Sequence, residues 1–389
     1  MDVLRPMKTL AETLPRGRVT GSPMQWLARA WEILARPIDS FLFGVALTIA
    51  GVGLITLFSA TDQSLARLTG QAVSLGFALV LMWVVASLKP ATIARAALPL
   101  YALGVVLLVG VAIGGVTVNG SRRWLNLGFG RFQPSELMKV ALPLMLAWYF
   151  QKFEGRIGWK DFALAAVLIA VPVYLIKRQP DLGTALLIGA SGFFVLYLAG
   201  LSWKVIAGLI ALAAAAAPLV WPHLHDYQRE RILTFLDPTR DPLGAGYHSS
   251  QASIALGSGG IVGKGWLNGT QTHLDFLPER HTDFIFAVFG EEFGLIGNTV
   301  LVVLYLLLIG RGMMITASAS TLFGRLIAGA VTLMFFTYAF VNMGMVSGVL
   351  PVVGVPLPLV SYGGTALVSL FVGLGILMSV QANRKLVNS

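Results

Sequence analysis

The residues best suited to chemistry end a long polar stretch. Leu277-Pro278-Glu279-Arg280-His281-Thr282-Asp283 runs directly into the apolar Phe284-Ile285-Phe286-Ala287-Val288, so the Asp283 carboxylate stands where water meets hydrocarbon. An acid at that depth is costly to keep ionised, which makes it a functional candidate by default. Two chemistries suit it, proton abstraction and metal ligation, and the residues alone do not separate them. Asp275, Glu279 and Asp283 recur every four positions, but Pro278 argues against one continuous helix through them.

Further charges lie within or beside apolar runs. Glu136 and Lys139 are spaced i, i+3 and share a helical face, as a structural ion pair or as the lining of a polar cavity. Glu291 and Glu292 follow Asp283 by two helical turns, about 12 Å at about 1.5 Å per residue. At least one should point into a bundle, to pair with Lys139 or to line a site. Asp181, just after Pro180, reads as a helix N-cap that can also sit at a cavity rim. Arg122, Arg123 and Arg131, then Lys177 and Arg178, then Lys264 and Arg280 form three cationic groups. They either pair with local acids such as Asp181 and Glu279 or converge on an anion, for which Arg offers a fork and Lys a point charge.

Two motifs fail. Gly257 to Gly265 resembles a phosphate loop, but Ser258 opens it and Gly265 stands where Ser or Thr is required. It reads as a flexible loop or a close backbone approach to phosphate. All five histidines, His223, His225, His248, His273 and His281, lie in the 222–283 segment; none forms a His-Glu-x-x-His pattern, and His223 with His225 is the one pair that hints at a metal.

The elements that must hold these groups are membrane helices. The chain has 389 residues, 56% of them hydrophobic and 12% charged, with a mean hydropathy of +0.77. That excludes a soluble globular domain. Apolar runs predict about ten spans at roughly 20 residues each. They are 41–60, 71–88, 96–116, 137–150, 162–176, 182–200, 205–221, 284–310, 326–350 and 355–380. Pro134, Pro143 and Pro172 suggest that the short fourth and fifth are broken or tilted. The expected fold is an all-α integral membrane protein with a large extracytoplasmic loop, 222–283, between the seventh and eighth spans.

Loop charges orient it. Lys89, Arg95, Lys152, Arg156, Lys160, Arg311, Arg325, Arg384 and Lys385 fall on one side, the cytoplasmic one, with both termini. Residues 1–38 form a basic cytoplasmic segment in which Trp26 to Arg36 is amphipathic, an interfacial helix or a frayed tail. Residues 39–385 form the membrane domain. With no cysteine, neither a disulfide nor a thiolate takes part. The chain's net charge of +10 is not confined to the inner side, and at an extracytoplasmic membrane surface the natural anion is a phosphorylated lipid headgroup and not nucleic acid.

Val341-Asn342 through Gly348, Pro351 and Gly354-Val355-Pro356-Leu357-Pro358-Leu359-Val360-Ser361-Tyr362-Gly363-Gly364-Thr365 resemble the signature of the SEDS family (shape, elongation, division and sporulation). Arg123-Trp124 with Gln133 to Glu136, Gln179 to Ala185 and Leu277 to Phe286 match it too. Gly265 to Gln271, with Arg280, is nearer the elongation branch than the division branch.

The resemblance implies a ten-helix enzyme of the bacterial inner membrane that polymerises peptidoglycan from lipid II at the periplasmic face. It implies a class B penicillin-binding protein as partner, among other membrane proteins of the elongation complex. It places the essential acid on Asp283 and further sensitive positions on Trp124, Lys139 and Glu291. Transfer from a lipid diphosphate needs cations for the leaving group and one base for the attacking hydroxyl. Asp283 is the expected base, or the ligand of a divalent ion such as Mg or Mn. Arg123, Lys139, Arg178 and Lys264 are the expected diphosphate contacts, and Trp124, Glu136, Asp181 and Glu291 complete the expected substrate site. A lipid flippase or transporter without chemistry is the rival reading, since intramembrane charges suit it equally.

Overall fold

A computed structural model describes residues 36–118, 121–126, 131–224, 229–230, 233, 245–273, 277 and 279–384. The amphipathic stretch before Arg36, His225 and Asp275 lie outside the described residues. The helices are α1 (Ser40–Ala60), α2 (Leu65–Ser87), α3 (Pro90–Arg95), α4 (Ala97–Gly114), α5 (Pro134–Lys152), α6 (Trp159–Lys177), α7 (Leu182–Leu198) and α8 (Trp203–Val220), then α9 (Ala245–Ser258), α10 (Thr270–His273), α11 (Ile285–Ser318), α12 (Leu322–Val346) and α13 (Gly364–Ala382). Ten of these, among the described residues, are at least 17 residues long, and they fall on the ten apolar runs. Among the described residues, eight helices are long and apolar enough to cross a membrane. In lipid the helix is the form that satisfies every backbone group within one segment. The fold is that of an α-helical, multi-pass membrane protein.

Local signals set the helix ends. The Asp39 carboxylate accepts from Leu42 N at 2.9 Å and caps α1. It also pairs with Arg311 of α11 at 2.5 Å, tying those two helices together. Ser202 and Thr321 cap α8 and α12. α5, α12 and α13 are the most buried, with Phe150, Phe335, Phe371 and Leu374 fully enclosed. α8 buries only Ile206.

The structure corrects several expectations. The fourth and fifth spans are not broken. Pro143 and Pro172 lie inside 19-residue helices, about 28 Å long at about 1.5 Å per residue. α5 starts three residues before the predicted run because Pro134 sits in its first turn, where a missing N–H costs nothing. The tenth span begins at Gly364, not Val355, since Gly354 at φ +71°, Leu359 at φ +65° and two prolines keep 355–363 out of helix. The chain is also not wholly helical outside its spans. β1 (Val116–Val118), β2 (Ser121–Asn126) and β3 (Arg131–Phe132) form an antiparallel sheet, with Val116 opposite Trp124 and Leu125 opposite Phe132.

The true break is in α11, at Gly294, with φ 64° and ψ −162°. In an unbroken helix Leu295 N and Ile296 N would bond the carbonyls of Glu291 and Glu292. Here Lys264 N and Gly265 N take those carbonyls at 3.0 Å each. Leu295 N and Ile296 N turn instead to Gly260 O at 2.9 Å and Ile261 O at 3.1 Å. The glycine-rich loop after α9 is thus spliced into the helix, and these four freed groups find partners, as irregular backbone at membrane depth requires. The close approach that Gly259 and Gly263 permit is to the backbone of α11. Gly263, at φ +80°, carries no Cβ where one would stand 2.1 Å from Glu292 O. Gly263→Ala should therefore destabilise the protein by roughly 1–3 kcal/mol or more. A thermal midpoint in detergent equal to that of the wild type would contradict the splice.

Candidate active site

Asp283 ends a tight turn that begins at Glu279, which sits at φ +51° and whose carbonyl accepts from Thr282 N at 3.1 Å. Thr282 Oγ1 donates to Glu279 Oε2 at 2.9 Å. The 354–363 segment and α12 then hold three successive carbonyls of the turn. Tyr362 N donates to His281 O at 2.9 Å, and Ser361 Oγ donates to Thr282 O at 2.6 Å. Asn342 Nδ2 donates to Asp283 O at 2.8 Å and to Val355 O at 2.7 Å. Gly354 backs the carboxylate, for a Cβ there would lie 3.3 Å from Asp283 Oδ2. The Gly354–Thr365 stretch is thus a cradle for the acid's backbone.

Asp283 faces a cavity of about 520 Å³. Arg123 and Trp124 from β2, Glu136 and Lys139 from α5, and Asp181 at the start of α7 line it with Glu279 and Asp283. At the rim, Arg123 lies 3.5 Å from Asp181, which also accepts from Thr184 N at 3.1 Å and so caps α7. Deeper, Lys139 Nζ meets Glu136 Oε1 at 2.6 Å, both nearly buried, and sits 4.9 Å from the centre of the Tyr338 ring. Ser369 Oγ donates to Glu136 Oε2 at 2.8 Å. A charge pair this buried needs such partners to offset its desolvation.

The other expected contacts lie elsewhere. Arg178 stacks over Tyr174 at 5.2 Å and does not line the cavity. Lys264 pairs with the fully buried Glu291 at 2.7 Å, so Glu291 takes Lys264 and not Lys139 as its cation. Glu292 is buried too and accepts from Leu267 N at 3.2 Å. Arg280 pairs with Asp62 at 2.5 Å, and Arg122 reaches Ala112 O at 3.4 Å. The cationic groups therefore do not all converge.

Sequence reasoning passed over Tyr338, Thr282, Tyr362 and Thr365, which also line the cavity. Tyr338 stands one helical turn before Asn342 on α12, a spacing that could have flagged it. Among the described residues no three His, Cys, Asp or Glu side chains are grouped to hold a metal. What the lining offers is four carboxylates, those of Glu136, Asp181, Glu279 and Asp283, with the two cations Arg123 and Lys139 in the same cleft.

His281 lies beside the acid, with its ring 5.9 Å from that of Tyr362. Its pKa is pushed below the usual histidine value, first by burial and then by Arg67, with Glu279 opposing and Arg280 adding to the fall. The unfolded chain therefore takes up this proton first as pH drops. The stabilisation is complete above about pH 6.5 and is lost as pH falls from there through the lower folded value. The thermal midpoint should decline below that pH, and His281→Gln should flatten the decline. An identical pH profile in the variant would contradict this.

Fold and cleft define a polytopic membrane protein with a charged site at the end of a helical bundle. The family model described as "Cell cycle protein" (FtsW, RodA, SpoVE) matches residues 39–386, and the chain belongs to this family. It is 49% identical over 352 residues to peptidoglycan glycosyltransferase MrdB of Escherichia coli K12, covering 90% of this chain and 95% of that one. Among solved structures it resembles a chain of a peptidoglycan synthase complex described as coordinating polymerization and crosslinking, with a TM-score of 0.79 at 36% identity, over 90% of this chain and 98% of that one. The rod shape determining protein RodA of Thermus thermophilus superposes with a TM-score of 0.67 at 32% identity, over 89% and 97%.

Proposed function

We propose that the chain is a peptidoglycan glycosyltransferase that polymerises lipid II into glycan strands at the outer face of the bacterial inner membrane during elongation. The observation that carries this reading is the grouping of Asp283 with Arg123 and Lys139 in one cleft. Asp283 takes the proton of the acceptor sugar's C4 hydroxyl. The oxygen attacks C1 of the donor MurNAc, the bond to the diphosphate breaks, and the configuration inverts. Arg123 and Lys139 draw the departing diphosphate, held in place by their partners Asp181 and Glu136. A sugar on a diphosphate brings its own leaving group, so one base and fixed positive charge suffice.

Both termini lie in the cytoplasm, residues 1–38 precede the membrane domain, and the cleft opens to the periplasm. A class B penicillin-binding protein crosslinks the strands as its partner. The likeness to a synthase complex that joins polymerization to crosslinking supports that pairing. The test is direct. The purified chain, with and without its transpeptidase, is incubated with lipid II and the products run on a gel. Glycan ladders are expected. Their absence in both preparations contradicts the assignment.

A further inference from the structure

Glu291 is fully buried, yet its carboxylate faces the cavity at no point; it grips the loop that is spliced into α11. Oε1 accepts from Lys264 Nζ at 2.7 Å and Gln271 N at 2.9 Å. Oε2 accepts from Thr272 N at 3.2 Å and Thr272 Oγ1 at 2.9 Å. Lys264 is anchored twice, because its backbone N–H also donates to Glu291 O at 3.0 Å and its Nζ reaches Thr270 Oγ1 at 2.7 Å. Thr272, itself fully buried, is held from its other side by the Arg280 guanidinium, which donates to its carbonyl.

The chain order gives this arrangement its meaning. Arg280 stands three residues before Asp283, and Glu291 stands eight residues after it. Both grip Thr272. The acid's turn and the first two turns of α11 are therefore closed into a ring by α10, with Lys264 neutralising the carboxylate at its base. A carboxylate buried this deeply tolerates ionisation only when paired and hydrogen-bonded.

We propose that Lys264 and Thr272 are positioning residues for Asp283, acting through Glu291 and Arg280, and that Lys264 does not touch the substrate. This rests on the reading of Asp283 as the acid that does the chemistry. It assigns Lys264 a role distinct from that of Arg123 and Lys139. Positioning matters because a base displaced by a fraction of an ångström loses its alignment with the attacking oxygen; a displacement of about 1 Å can cost about a hundredfold.

The experiment uses the full-length protein with its transpeptidase and compares wild type, Lys264→Met, Thr272→Val and the double variant Lys264→Met/Glu291→Gln. The first readout is hydrogen exchange at the backbone amides of 279–284, which does not depend on activity. The second is the kcat and KM for lipid II. Lys264→Met and Thr272→Val should speed exchange in that turn. They should also lower kcat by roughly ten- to hundredfold with KM changed less than about twofold. The double variant, which no longer buries an unpaired charge, should recover slow exchange and much of kcat. Three results would each overturn the proposal: unchanged exchange in both single variants, a rise in KM at constant kcat for Lys264→Met, or a double variant no better than the single. If the wild type itself makes no glycan, the functional reading falls, while the exchange measurement still decides whether these residues hold the turn.

Discussion

Asp283→Asn should leave the fold intact and reduce glycan polymerisation by about 10²–10⁴-fold, the span that a positioned base contributes. The amide is nearly isosteric with the acid. The turn is held through carbonyls, those of His281, Thr282 and Asp283, and not through the carboxylate alone. The thermal midpoint should therefore move little, and lipid II should still bind, since Arg123 and Lys139 are untouched. The loss should fall on kcat, because proton transfer is an interaction of the transition state. Polymerisation at the wild-type rate would exclude Asp283 as base and as metal ligand together. A collapse of the thermal midpoint would mean that the carboxylate is a structural strut.

Lys139→Met should have the largest effect on stability. It strands the Glu136 carboxylate in a site where both partners are nearly buried and, among the described residues, only Ser369 Oγ remains as its donor. Removing one member of a buried pair costs about 3–5 kcal/mol. The double change Lys139→Met/Glu136→Gln removes both charges and should recover most of that loss. The double variant then separates two roles. If Lys139 draws the leaving diphosphate, the recovered fold should still polymerise at least about tenfold more slowly, an effect of the size expected for one lost charge-assisted contact. If it polymerises like the wild type, Lys139 serves only the bundle.

Much of the fold was legible because lipid enforces a simple code. A backbone in hydrocarbon must be helical, so apolar runs mark helices wherever they fall. The code says nothing about long-range substitution of backbone bonds. Gly294 sits in an apolar run and reads as a tolerated glycine, yet α11 breaks there because a loop some 30 residues upstream in the chain replaces its hydrogen bonds. The stretch 355–363 was hidden for the opposite reason. It is apolar enough to resemble a span, and only its prolines and the left-handed Gly354 and Leu359 keep it from helix.

The site was legible where chemistry and local geometry coincide. Asp283 at the water boundary, the Glu136–Lys139 spacing and the Asp181 cap all follow from short-range rules, and the structure places these residues around one cavity. Lys264 and Arg178 were not distinguishable from Arg123 by sign of charge. Which acid or ring captures a cation depends on packing between distant segments, as with Lys264 and Glu291, 27 residues apart. Tyr338 escaped notice because an aromatic on an apolar helix usually means core.

The chain has no native cysteine, so one introduced thiol can probe the cleft alone. Thr365 lines the cavity and is partly exposed. In intact cells Thr365→Cys should react with a membrane-impermeant maleimide added from outside. Lipid II should slow that reaction in the purified protein, and the modified protein should cease to polymerise. A thiol reached only from the cytoplasm, or modified protein that still polymerises at the unmodified rate, would contradict the claim that this cleft, with Asp283 at its lip, is where the glycan strand is made.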